Sequence, residues 1–127
     1  MRILLSLAIL FVIGCTDSSD SQVTGGEFTV HFADKKDYKL AKSIVEFWKK
    51  DSLMTGEPQD VRLKRTNDGY DLLLISTGLT DPSDLTFEDL RSLDTLQERL
   101  QVRVFHDERV SLVIADKNFK PLFRPKL

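Results

Sequence analysis

The single cysteine of this chain, Cys15, sets the first limit on how the chain can fold. With one thiol in 127 residues, no disulfide can form within the molecule, so a hydrophobic core alone has to hold the fold together. Residues 27–127 are long enough for one such core, because single domains usually have about 100–150 residues. Acidic and basic residues are mixed along the chain at a net charge of −2, without the basic stripe that nucleic-acid binding needs.

The first fourteen residues have the pattern of a secretory signal. Met1 and Arg2 give a short positive start, and residues 3–13 are apolar apart from Ser6. An apolar stretch of about eleven residues lies within the roughly 7–15 expected of a signal and below the roughly 20 that span a bilayer as a helix. We therefore expect residues 1–14 to be removed.

The signal ends at Val12-Ile13-Gly14-Cys15, which resembles the lipobox of bacterial lipoproteins. The resemblance implies transfer of diacylglycerol to the Cys15 thiol, cleavage between Gly14 and Cys15, and fatty acids such as palmitate as the membrane anchor. Two or more acyl chains attach a protein stably, whereas one chain is marginal. A plain secretory signal with a chance cysteine, or a buried core cysteine, are the alternatives.

The resemblance also implies a location in the bacterial cell envelope, in contact with the periplasm or the cell surface. Thr16 favours the outer membrane, because aspartate at this position is associated with retention in the inner membrane. Asp17 and Asp20 give a weak match to the acidic export signal of surface lipoproteins. The sequence does not show whether the anchored protein faces the periplasm or the cell surface.

Residues 15–26 are predicted to tether the domain to the membrane. After Cys15 this segment is polar, rich in Ser and Asp, and ends in Gly25-Gly26, a composition that cannot bury a core. Such a flexible segment reaches about 20 Å on average. The sequence thus predicts a signal at 1–14, a lipidated tether at 15–26 and one domain at 27–127.

Hydrophobic periodicity in the domain predicts two helices and a set of strands. Asp34 and Thr86 have the positions of N-caps, with Asp37 and Asp89 in the matching capping-box places. The helices are predicted at 35–53 and 86–101. The strands are predicted at 28–32, 60–66, 70–77, 102–105, 110–115 and, as a short edge strand, 119–123.

The resulting order, β-α-β-β-α-β-β, predicts an α+β fold of the ferredoxin-like type. In that plan an antiparallel sheet carries two helices on one face, and its first and third strands are central. The alternative is another α+β sandwich with a meander at the C-terminal end.

Residues that could carry catalysis or bind a metal are few and dispersed. His31 lies in a predicted strand and His106 in a predicted turn, and no zinc-ligand spacing occurs. Four acidic residues could bind calcium weakly, although their spacing differs from an EF-hand loop: Asp81, Asp84, Glu88 and Asp89. No phosphate-binding loop or nucleophile motif is present. The sequence therefore predicts no catalytic residue, no metal and no cofactor.

The sheet face turned away from the helices is the predicted partner-binding surface. Alternation along the strands places there the side chains of His31, Arg62, Lys64, Arg103 and Phe105. Cations around an apolar strip suit a protein or an anionic ligand. The alternative is an ordinary solvated face, or one that the C-terminal residues 119–127 cover.

These features predict a membrane-tethered protein-binding module without enzymatic activity. It would be an assembly component, or an inhibitor or immunity-type protein that neutralises an incoming enzyme or toxin. The alternatives are a receptor for a small ligand or cell-wall fragment, an envelope enzyme that uses the open sheet face, and a structural spacer. The sequence identifies neither the partner nor an oligomeric state.

Overall fold

The computed structural model describes residues 20–51, 53, 56–76, 78–79 and 81–127. The segments predicted as a signal and a lipobox, including Cys15, lie outside the described residues. Within them, an α+β fold places two α-helices on one face of a six-stranded sheet. The elements are β1 (Ser21–Gly25), β2 (Phe28–Phe32), α1 (Tyr38–Lys50), β3 (Gln59–Arg65), β4 (Gly69–Ile75), α2 (Phe87–Leu100), β5 (Arg109–Ala115) and β6 (Pro121–Phe123).

Both helices begin close to their predicted caps. The Asp34 carboxylate accepts a hydrogen bond from the backbone N–H of Lys36 and starts a 3₁₀ turn that leads into α1. Thr86 and Asp89 form a capping box at the start of α2. Both helices turn apolar residues toward the same face of the sheet, as predicted.

Residues that were predicted as tether form the first edge strand instead. β1 pairs antiparallel with β2 along its whole length. Gly26 and Glu27 make the two-residue turn between them, and Gly26 adopts φ +63°, which glycine takes without strain. The sequence of β1 shows no alternation of apolar and polar residues, because Val23 is its one residue that packs on the core. The tether prediction was therefore wrong for residues 21–26.

The strands lie side by side in chain order, from β1 to β6. β2 is parallel to β3 and β4 is parallel to β5, whereas the other neighbours are antiparallel. The prediction of an antiparallel sheet was therefore wrong, and the ferredoxin-like strand order is not confirmed. Each helix returns the chain so that the next strand runs parallel to the previous one. Apolar periodicity marks the elements but not which strands become neighbours.

The two β-α-β units, β2-α1-β3 and β4-α2-β5, have opposite hands. Both units advance in the same direction across the sheet and both helices lie on the same face, but their strands run in opposite directions. If the strand direction is reversed while the helix stays on the same face and the next strand is added on the same side, the crossover changes its hand. One unit is therefore left-handed, against the strong general preference for right-handed crossovers.

Residues 102–105, predicted as a strand, continue α2 as a π-helical turn, Gln101–Phe105. This segment pairs with no strand of the described sheet, and Val104 and Phe105 are both buried in the core on the helix side. The predicted hairpin between 102–105 and 110–115 was therefore wrong.

Side chains of the α2 segment cover the edge of β5 that β6 leaves open. Gln97 Oε1 accepts a hydrogen bond of 3.0 Å from the backbone N–H of Leu112. Gln101 Oε1 accepts one of 3.1 Å from the backbone N–H of Val110. These bonds satisfy strand-edge groups that would otherwise be exposed or lose their partners on burial.

The core lies between the sheet and the helices. Phe28 stacks on Trp48, with ring centroids 4.4 Å apart and ring planes within 8°. Further buried residues come from strands and helices alike: Val30, Phe32, Ile44, Leu63, Leu72, Leu100 and Leu112. This packing fixes the positions of α1 and α2 over the sheet. No helix in the described ranges is long and apolar enough to cross a membrane.

Candidate functional site

The open face of the sheet, the side away from the helices, carries three of the five residues predicted to bind a partner. His31 on β2 and Arg62 on β3 are neighbours in the parallel register. Lys64 follows two residues after Arg62 and therefore lies on the same face. Leu73 and Val113 continue the row across β4 and β5. The binding role of this face stays a prediction.

Two of these groups already have carboxylate partners on the same side of the sheet. Arg62 Nε lies 3.2 Å from Asp20 Oδ2, and His31 Nε2 lies 3.0 Å from Asp60 Oδ1. Lys64 is exposed and makes no ion pair with a described residue. A face whose basic groups are mostly paired offers little net positive charge to an anionic ligand.

The C-terminal residues cover the apolar part of the open face. Phe119 packs against the buried cluster of Leu73, Val113 and Ala115, and its ring centroid lies 5.2 Å from that of His31. Arg124 donates two hydrogen bonds, of 2.8 and 3.1 Å, to the Asp71 carboxylate, and this contact raises the pKa of Arg124. The structure therefore has the tail-covered face that the sequence left open as an alternative.

Arg103 and Phe105 were predicted on the open face and lie on the helix side instead, because their segment is helical. Phe105 is buried, with its ring centroid 5.5 Å from that of Tyr70. Arg103 Nη1 lies 2.9 Å from Asp51 Oδ1 at the end of α1. The residues predicted as one surface are thus divided between the two sides of the sheet.

A groove on the helix side separates α1 from α2 and consists of two open hollows. The first, of about 760 Å³, lies between α1 and the π-helical turn, and the second, of about 490 Å³, lies between the end of α1 and α2. Phe47 and Asp51 line both hollows, so the two lie next to each other. The apolar residues that line them are Phe47, Leu53, Leu96 and Val104. We name the two hollows together the interhelical groove.

Asp51 connects the two sides of the interhelical groove. Its buried carboxylate lies 3.3 Å from Arg99 Nη1 and 2.9 Å from Arg103 Nη1. Both arginines are more than half exposed, so water weakens each ion pair. The contact bridges the groove between the end of α1 and the end of α2, whose positions the core packing fixes.

Cations from α1 dominate the rim of the first hollow. Lys39, Lys42 and Lys50 line it, and among its described lining residues Glu46 is the one acidic residue besides Asp51. The spacing of these lysines places them along one side of the helix. That spacing was the available sequence signal, but the groove also depends on the position of α2, which the sequence does not reveal.

A buried charged cluster at the start of α1 links this helix to β3 and β4. Asp37 Oδ1 accepts a hydrogen bond of 2.7 Å from Arg65 Nη2 and one of 2.9 Å from the Tyr70 hydroxyl. Asp37 was predicted to complete a capping box with Asp34, but its carboxylate bonds to Arg65 and Tyr70 instead. The Asp37 charge raises the pKa of Arg65, while burial, followed by the bond to Asp37, raises the pKa of Tyr70 to about 12. None of the three lines the interhelical groove, so we interpret the cluster as structural.

We expect the protein to lose stability between pH 10 and pH 12 through Tyr70. The phenol ionises near pH 10 in the unfolded chain but stays protonated to about pH 12 in the folded protein. Between these pH values the folded state holds a proton that the unfolded state has released. The free energy of unfolding therefore falls by about 1.4 kcal/mol per pH unit, or about 2–3 kcal/mol in all. Denaturant titrations across this pH range would measure the loss.

Two tyrosine variants separate this effect from general alkaline denaturation. Tyr70→Phe should remove the additional loss between pH 10 and pH 12. Tyr38→Phe should keep it, because Tyr38 is half exposed and lies outside the cluster. An equally steep loss in Tyr70→Phe would assign the alkaline transition to other groups.

The remaining candidate groups do not converge on a catalytic or metal site in the described part of the chain. Asp81 and Asp84 form a capping box around the 3₁₀ turn Pro82–Asp84, and Asp89 caps α2. His106 is exposed at the end of the π-helical turn. The described residues contain no group of three or more His, Cys, Asp or Glu side chains that could hold a metal ion.

Comparison of the chain with protein-family models, curated proteins and solved structures finds no match. Its function therefore has to be inferred from its own residues. The interhelical groove combines a concave shape, an apolar lining and lysines that make no ion pair with a described residue. It is the candidate functional site.

Proposed function

We propose that this protein is a lipid-anchored, non-enzymatic protein-binding module of the bacterial cell envelope, and that it binds its partner through the interhelical groove. The partner is an assembly component, or an incoming enzyme or toxin that binding inhibits. The anchor is the acylated Cys15 that the lipobox resemblance implies. The groove then faces proteins that move close to the membrane.

The form of the interhelical groove is the observation that carries the proposal. Phe47 lines both of its open hollows, and Val104 and Leu96 add an apolar lining to the first and to the second hollow. Protein interfaces usually have an apolar centre with a polar rim, and arginine is enriched in them. Catalytic pockets, in contrast, need several convergent polar groups around a reacting atom. The groove has the first arrangement.

The charges around the groove favour a partner with an acidic surface. Lys39, Lys42 and Lys50 lie on the rim, and the Asp51 carboxylate is already bound by two arginines. Acidic side chains on a partner gain attraction from these lysines, while an apolar side chain can contact Phe47 between them. Charge complementarity of this kind accelerates association and orients the partner.

The alternatives that use the open sheet face have less support. There Arg62 is bound by Asp20, and Phe119 packs against the cluster that contains Leu73. A small anionic ligand, a cell-wall fragment or a substrate would have to displace these contacts before it could bind. The interhelical groove needs no such rearrangement.

We expect Lys42→Glu combined with Lys50→Glu to reduce partner capture at least about tenfold, because two attractive rim charges become repulsive. The lipidated protein, carrying a photo-crosslinking amino acid at Ser43 inside the first hollow, would be crosslinked in its own cells. Neither lysine makes an ion pair with a described residue, so the fold should persist. Circular dichroism and urea unfolding would verify this.

Lys117→Glu combined with Lys126→Glu is the matched control, because it changes the net charge equally at exposed residues outside the groove. This control should capture the same crosslinked partner as the unmodified protein. Capture that survives in the groove variant would show that another surface binds the partner. Equal losses of capture in both variants would show that capture depends on the net charge of the protein and not on the groove.

A further inference from the structure

The path of the chain fixes which end of the domain lies nearest Cys15. Five peptide units separate Cys15 from Asp20 and span at most about 18 Å. The next residue, Ser21, begins β1 and pairs with Phe32, the last residue of β2. Whatever holds Cys15 therefore lies within about 18 Å of the end of the sheet where β2 passes into α1.

This end of the domain is basic although the chain as a whole has a net charge of −2. Lys35, Lys36 and Lys39 lie at the start of α1, and Lys64 lies near the end of β3, which runs parallel to β2. All four are exposed, and none makes an ion pair with a described residue. Within residues 33–39 the one exposed acidic side chain is that of Asp34.

Two further carboxylates beside these lysines are paired, whereas the exposed Asp107 and Glu108 lie just before β5, three strands away from β2. Asp37 is bound by Arg65, and Asp20 by Arg62. These pairs contribute little net charge, so beside β2 and β3 the four lysines outweigh the one exposed carboxylate, Asp34, and determine the sign of the surface. The Lys64 ammonium extends the basic surface from the helix side of the domain to the open face.

An exposed aromatic ring accompanies these lysines. Tyr38, the first residue of α1, is half exposed, and its ring centroid lies 6.4 Å from that of Phe32. Lys42 Nζ lies 5.6 Å from the Tyr38 ring centroid. Tyrosine is enriched at the membrane–water interface, where its ring contacts acyl chains and its hydroxyl stays hydrated. We name Lys35, Lys36, Tyr38, Lys39 and Lys64 the basic end.

We propose that the basic end docks on the headgroups of anionic phospholipids in the membrane that holds the lipid anchor. The inference rests on the proposed anchoring at Cys15, because the short connection keeps the basic end at the bilayer. Lysines close to an anionic bilayer are attracted to it individually, and the attraction falls off within a Debye length. A connection of at most about 18 Å is short enough for the lysines to come within this range of the bilayer.

Docking would also orient the candidate binding site. α1 starts at the basic end with Tyr38 and ends at Lys50, so its axis would lead away from the membrane. The interhelical groove runs beside α1 and would stand upright on the bilayer, with its second hollow farther out than its first. Lys39 belongs both to the basic end and to the first hollow, so the near rim of the groove would touch the headgroups, while the rest of the groove would stay open to a partner.

The test measures lysine reactivity on membranes. The full-length protein, purified from its own cells with its anchor, is reconstituted into vesicles of phosphatidylcholine with or without phosphatidylglycerol, and labelled with an amine-acylating reagent. We expect Lys35, Lys36, Lys39 and Lys64 to react at least about threefold more slowly when phosphatidylglycerol is present, and high salt to reverse this. Lys117, Lys120 and Lys126 should react equally in both vesicles.

Lys35→Glu combined with Lys36→Glu should remove the phosphatidylglycerol-dependent protection of Lys39 and Lys64 while the protein still floats with both vesicles. Equal labelling of the unmodified protein on both vesicles would overturn the docking proposal and leave the anchoring intact. A protein that does not float with phosphatidylcholine vesicles contradicts the anchoring itself, and the docking proposal is lost with it.

Discussion

Replacing Asp37 by alanine is expected to lower the free energy of unfolding by about 3 kcal/mol. Its buried carboxylate accepts hydrogen bonds from Arg65 and Tyr70. The variant loses a charge-assisted bond and leaves the buried Tyr70 hydroxyl without a partner, and each of these costs about 1–3 kcal/mol. Arg65 is about half exposed and can turn to water, so it adds little. Since domains have about 5–15 kcal/mol of stability, the loss is large.

Urea unfolding, followed by the fluorescence of the single tryptophan, Trp48, would measure this loss. We expect the midpoint to fall by more than about 1 M with an unchanged slope. Asp34→Ala is the matched control, because its exposed carboxylate only caps the 3₁₀ turn, and its removal should cost about 1 kcal/mol or less. Similar losses in both variants would contradict a special role for the buried cluster.

Local chemistry made parts of the fold predictable from the sequence. Thr86 and Asp89 mark the start of α2 before any tertiary contact is known, since a capping box involves residues three positions apart. Asn67-Asp68-Gly69 likewise marks the turn between β3 and β4, which are antiparallel neighbours in the structure. In both places the residues that predict the feature lie within a few positions of one another and form the feature themselves.

Elements that depend on distant pairing were not predictable in this way. β1 has one residue, Val23, that packs on the core, and the strand is defined by its backbone pairing with β2. The apolar and charged residues of Val102–Phe105 alternate as in a short strand. In the structure the segment is helical, and Val104 and Phe105 are both buried. Long-range packing, rather than the local sequence, decides which strands pair and on which face of the sheet a segment lies.

The candidate site was missed for a related reason. Arg62 is bound by Asp20 across 42 residues, and Arg124 by Asp71 across 53, so the charge predicted for the open face is largely compensated. At the interhelical groove, Asp51 likewise meets Arg103 across 52 residues. The sequence shows which charges exist, whereas the fold decides which of them remain available to a partner.

Replacing Cys15 by alanine is expected to abolish incorporation of labelled palmitate and to move the protein from the membrane to the soluble fraction. On the lipobox resemblance, Cys15 carries the acyl chains, and each buried CH₂ group contributes about 0.8 kcal/mol to membrane binding. Removing two chains therefore weakens attachment by many orders of magnitude. The attraction of the basic end alone is sensitive to salt and cannot replace it.

Metabolic labelling, followed by a high-salt wash of the membranes, would measure both results. Thr16→Ser is the matched control, since it changes the next residue conservatively and should keep both palmitate and membrane attachment. Trp48 fluorescence should be equal in the two variants, because Trp48 lies in the core between α1 and β2. An uncleaved signal has about eleven apolar residues, too few to span the bilayer. Palmitate that persists without Cys15 would place the acylation site elsewhere in the chain, whereas attachment without palmitate that survives the wash would show that the uncleaved apolar segment holds the membrane.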